Sequence, residues 1–188
     1  MLALYLCVGL CAIIWIVNGI WIWHAAREHI ISEIFIHMAM GVFFTLLALE
    51  LTIGTTNVWS HFNISWVKLF GWVLFIPSVV LVFGSMMELK QRGKPGTYDP
   101  TETTSFVDTG IFHFIRQPIT LGISIWSVAL MMVFQSIPSI VTGMIVVFFC
   151  WISARKESDY DIVKFGEKYK VYMKSVPMWN IFSGLIKR

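Results

Sequence analysis

Arg116, Gln117 and Pro118, followed by Gly122, stand where a polar loop gives way to an apolar segment. A guanidinium just ahead of a helix that begins near Pro118 makes an anion-binding corner, because it adds a planar fork of donors to the unpaired N–H groups of the helix start. Beyond the apolar segment the chain delivers Arg155, Lys156 and Glu157 back into water. A loop and a helix exit that meet on one membrane face form a natural site for a polar cofactor serving a lipid-like substrate.

The elements that must position these residues follow from composition. The chain is 57% hydrophobic and only 13% charged, with mean hydropathy +0.74, about half the charge of a soluble domain. It reads as an all-α polytopic membrane bundle. Apolar runs cover Leu2 to Trp23, Ile30 to Ile53, Trp66 to Met87, Ile119 to Phe134 and Ile137 to Ala154, against about 17 to 25 residues needed to span. The last two are short, and Gln135-Ser136-Ile137-Pro138 between them predicts a tight turn with Ser136 as N-cap, hence a helical hairpin. Pro77 predicts a kink in the third span. About five spans in one domain over 1–188 are expected: three N-terminal spans over 1–88, then loop, hairpin and C-terminal segment over 89–188. The first run has no basic flank or small-residue cleavage site, so it reads as a retained span.

Lys and Arg crowd the third-to-fourth connection and the tail, whereas Gly54 to Ser65 carries none. The positive-inside rule then predicts an outside N-terminus and a cytoplasmic C-terminus, with a bacterial or archaeal inner membrane expected rather than the endoplasmic reticulum. The net charge of +3 orients the chain on an anionic leaflet and gives no reason to invoke nucleic acid.

Polar groups at membrane depth need a partner or water. Glu33 and His37 are i,i+4 neighbours; they either satisfy each other or line a substrate cavity. Glu50 is expected to reach headgroup water at the opposite interface. The five histidines and three cysteines show no metal-ligand spacing, so no metal is expected. Trp59 and Trp179 read as parts of an interfacial aromatic belt.

The remaining motifs are Arg92-Gly93-Lys94-Pro95, Asp99-Pro100 and Thr109-Gly110 before Arg116-Gln117-Pro118, then Glu157, Phe165-Gly166, Tyr169, Tyr172 and Val176-Pro177 after the hairpin. In this order and spacing, over roughly residues 90 to 178, they resemble the isoprenylcysteine carboxyl methyltransferase and phospholipid methyltransferase superfamily. The first three spans contribute only their topology. The resemblance implies a membrane-embedded methyltransferase that takes S-adenosyl-L-methionine as cofactor, bound by the loop, the hairpin and a C-terminal interfacial helix, with a lipid-like, amphipathic or prenylated acceptor arriving from the bilayer. It places His113, Arg116, Gln117, Pro118, Gly122, Glu157 and Tyr169 at the cofactor and gives Arg116 and Glu157 the catalytic positions. Arg116 would hold the cofactor carboxylate, and Glu157 the ribose hydroxyls or amino group. An amine acceptor would need a proton acceptor, for which Glu33, His37 and His113 are the candidates.

The chain departs from these relatives at Ile111-Phe112-His113, Gln117, Thr120, Ser158 and Met178, which points to a different choice of acceptor. The competing classes are a nicotinamide-dependent membrane reductase and a non-enzymatic scaffold or carrier. Cofactor binding separates them.

Overall fold

The computed structural model describes residues 1–96 and 103–180; Asp99-Pro100 lies outside them. Its long elements are helices: α1 (Leu2–Arg27), α2 (Ile31–Thr52), α3 (Ser65–Arg92), α4 (Pro118–Phe134), α5 (Ile137–Phe165) and α6 (Glu167–Ser175), with short 3-10 turns at Gly54–Thr56 and Gly110–His113. Helices α1, α2, α3 and α5 are long and apolar enough to cross a membrane, and α4 is a shorter apolar helix. α3 runs through Pro77 as one helix.

The helices pack in the order α1, α2, α5, α4, α3, with α1 resting on α2. Small residues carry the close contacts, as expected where lipid removes the hydrophobic drive between helices. A Cβ on Gly122 would meet Val82 Cγ2 at 2.7 Å, and one on Gly71 would meet the Ala129 carbonyl oxygen at 2.9 Å. Ser78 donates to the Gly122 carbonyl (2.9 Å), and Ser153 of α5 donates to the Ser32 carbonyl of α2 (2.9 Å). Between them Phe43, Leu46, Ile123, Leu130, Val146 and Cys150 form the core.

The predicted hairpin turn is present. Gln135 takes a left-handed conformation (φ 53°), and Ser136 caps α5 by accepting from Ser139 N (3.0 Å) while Ser139 Oγ accepts from Ser136 N (3.1 Å). The same turn holds the α2–α3 connection. Gln135 grips Ile64 through both its N–H (2.7 Å) and its carbonyl (2.9 Å), and His61 Nδ1 meets the Phe134 carbonyl at 2.7 Å.

Glu50 corrects an expectation here. It is 3% exposed, accepts from Ser136 Oγ and from Trp59 Nε1 (3.4 Å), and so is a buried tie rather than a solvated surface charge. Trp59 shares this tie, and near the other end Trp179 Nε1 donates to Thr120 Oγ1 (3.1 Å).

Lengths explain where a site forms. α4 has 17 residues and α5 has 29, so α5 outruns its partner by about 18 Å at 1.5 Å per residue. The apolar run of α5 ends at Ala154, and its last turns stand clear of α4. The loop before α4, together with α6, packs into that recess.

Candidate functional site

Three anchors fix the loop. At its start, the Gly93 carbonyl accepts from Thr104 N and Ser105 N (both 2.9 Å). Further on, Glu88 at the end of α3 accepts from Thr109 Oγ1 (3.0 Å) and pairs with Arg92 Nε (3.1 Å). Gly110 sits directly on this carboxylate with φ +55°, where an added Cβ would meet Glu88 Cδ at 2.6 Å, so both conformation and space require glycine. At the other end, Arg116 N and Gln117 N donate to the Pro177 and Met178 carbonyls (3.0 and 3.2 Å). Pro177-Met178 thus forms a backbone rail for Arg116-Gln117.

α6 completes the wall. Tyr169 and Tyr172 are buried with Val176 against Phe106 and Phe165, and Tyr172 donates from its hydroxyl to the Phe112 carbonyl. The tyrosine face therefore turns inward onto the loop, while Lys170 stays outside and pairs with Glu167.

The result is a cavity of about 520 Å³, within the range of ligand sites. Glu33 and Ser32 enter it from α2, Arg116, Gln117 and Pro118 from the loop and the start of α4, and Glu157 from α5. Arg116 Nε and Nη1 are buried without a hydrogen-bond partner. Ser32 Oγ, beside Glu157, and Tyr169 Oη, beside Asp161 and Ser158, are also buried without a hydrogen bond of ordinary geometry. Leaving the Arg116 N–H groups unpaired costs about 1–3 kcal/mol each, so they mark a place built to receive acceptors. Burial, and then the Asp161 carboxylate, push the Tyr169 phenol well above its ordinary range.

Several residues expected at the cofactor lie outside this cavity. Gly122 is a packing glycine on α3, as described. His113 faces a second groove on the far side of Phe106. Tyr169 backs the wall through Phe106 rather than lining the cavity. His37 stacks on Trp21 of α1 (5.6 Å between ring centres, 7° between planes), one turn from the cavity that Glu33 lines. Sequence reasoning missed Asp161, Lys164 and Ser32, which also line it. Glu157, Asp161 and Lys164 are spaced i, i+4, i+7, one helical face, and that spacing could have revealed them.

This donor set fits the cofactor suggested by the motifs. The two unpaired N–H groups of Arg116 suit a carboxylate, while Glu157 and Asp161 suit hydroxyl or ammonium donors. Among the described residues no cluster of His, Cys, Asp and Glu has the arrangement of a metal site.

The phospholipid methyltransferase family model matches residues 66–168. The match takes in α3, which motif reading had credited with topology alone, and ends just before Tyr169. No curated protein and no solved structure matches the chain. A match over more than half of the chain, on a polytopic bundle whose matched part contributes most of the cavity, makes this chain a member of the phospholipid methyltransferase family.

Proposed function

We propose that this integral membrane methyltransferase takes S-adenosylmethionine in the 520 Å³ cavity and methylates the headgroup of a lipid-like acceptor. The observation that carries the reading is the pair of buried, unpartnered Arg116 N–H groups facing a cavity that Glu157 lines from the other side. Arg116 would hold the cofactor carboxylate, and Glu157, with Asp161 one turn on, would take its hydroxyl or amino groups. Bound there, the cofactor would supply a methyl group activated on a sulfonium.

The cavity's charge bears on the acceptor. Glu28, Glu33, Glu157 and Asp161 line it against Arg116 and Lys164. Glu28 and Glu33, before and within the first turn of α2, give an amine acceptor carboxylates to pair with. An amine has to be neutral to take a methyl group, so an entering ammonium would first give up its proton, and Glu33, lining the cavity from α2, is placed to accept it. Most of the remaining work is alignment inside a closed site. Charge also favours the orientation with the cavity, the basic connection and α6 on the cytoplasmic side.

Calorimetric titration of the purified protein with S-adenosylhomocysteine and with a nicotinamide nucleotide tests the cofactor. Labelled methyl transfer into a membrane lipid extract then tests the reaction. Label that alkali does not release as volatile methanol is expected; label released as methanol would identify a carboxyl ester and overturn the amine reading. Binding of nicotinamide alone, or of neither ligand, would overturn the methyl-transfer reading itself.

A further inference from the structure

We propose that the second groove binds the phosphate of an anionic membrane lipid headgroup. This groove, about 420 Å³, lies between loop residues Asp108 and His113 and the face of α6 that carries Lys168 and Val171. His113 donates its Nδ1 hydrogen to the Asp108 main-chain carbonyl (3.3 Å), which leaves Nε2 to a ligand. Lys168 supplies an ammonium. The Asp108 carboxylate opposes them, so the site suits one phosphate group better than a polyanion.

A free phosphate and a lipid headgroup share this chemistry, and the surroundings favour the lipid. α6 follows directly on α5, the helix that leaves the membrane here. Val171, 64% exposed, gives the groove an apolar rim that a glycerol backbone and first methylenes would cover and an inorganic ion would not.

The groove also shares a wall with the larger cavity. Phe106 and Tyr172 line both, and Lys168 Nζ sits 4.9 Å from the centre of the Phe106 ring. A headgroup held by Lys168 therefore bears on the ring that closes the cavity. That coupling rests on the proposed function; the lipid site itself does not.

Nanodiscs of phosphatidylcholine containing phosphatidylglycerol, followed by native mass spectrometry, read the lipid directly. The wild type is expected to retain one phosphatidylglycerol, with retention falling severalfold in Lys168→Ala and His113→Ala. Lys174→Ala, an exposed α6 lysine outside the groove, should retain it like wild type. Equal losses in all three variants would mean diffuse attraction to the leaflet and would overturn the site. Displacement of the lipid by millimolar inorganic phosphate would overturn its assignment to lipid. Should Lys168→Ala fail to fold, Lys168→Gln serves in its place.

Discussion

Replacing Arg116 should separate two quantities, leaving ligand-free stability nearly unchanged while cofactor affinity falls. In the cofactor-free protein Arg116 Nε and Nη1 are buried and unpaired, at a cost of about 1–3 kcal/mol per group. Arg116→Ala removes that cost together with the guanidinium's attraction to Asp161, so the two changes offset and cofactor-free stability should stay within about 1 kcal/mol of wild type. With cofactor the balance changes. Two hydrogen bonds to a carboxylate at about 1.5–3 kcal/mol each are forfeited, and even one of them at the upper figure is roughly a 100-fold loss in affinity. Arg116→Lys keeps charge but not the fork, so it should recover only part. Thermal unfolding in detergent without ligand, beside calorimetric titration with S-adenosylhomocysteine, reads both quantities. Lys binding as tightly as Arg, or Ala collapsing the ligand-free protein while sparing affinity, would refute the carboxylate clamp and leave Arg116 a structural or snorkelling residue.

Glu157→Ala should weaken S-adenosylhomocysteine binding by about 1.5–3 kcal/mol, whereas Glu50→Ala should leave calorimetric affinity unchanged. Glu50→Ala should instead lower stability by about 1–3 kcal/mol, because Ser136 and Trp59 lose their acceptor; unfolding in mixed detergent shows it, and a wild-type midpoint would contradict the buried tie. Gly122→Ala places a Cβ 3.1 Å from the Ser78 carbonyl oxygen as well as against Val82, so a loss of about 1–3 kcal/mol is expected in the same assay. Reporter fusions after Gly54 and at the C-terminus should report opposite sides of the membrane, and a shared side would overturn the orientation.

Much of the bundle was legible because lipid imposes a simple rule on sequence: long apolar runs become helices, and Gln135-Ser136 with Pro138 can only be a turn. Arg116, Gln117, Pro118 and Glu157 were legible as motifs, and they come together because the loop and the end of α5 share the recess left by α4. What stayed hidden depends on pairing across the fold. Glu50 looked solvated because its burial comes from Ser136, far away in sequence. Gly122 looked like a ligand-approach glycine because a close backbone contact reads the same whether a cofactor or another helix makes it. His113 sits beside the right motif, but the ring of Phe106 separates it from the cavity. Asp161 carries no motif of its own and emerges only once α5 is known to remain helical past the membrane.

The ties at Gln135, His61 and Glu50 make the bundle behave as a set of levers pinned at one end, with the Ser153 bond to the Ser32 carbonyl as a latch at the other. Helices fixed there and about 30 Å long would carry a rotation of only 5° into a displacement of about 3 Å at the far end, where the cavity lies. Such a lever keeps the lipid-facing core intact while its tips part, so traffic of a bulky polar molecule need not admit lipid or water to the middle of the membrane. The pinned end would then govern the rate at which the other end opens, and slackening it, as Glu50→Gln would do without changing any cavity residue, is expected to speed ligand release.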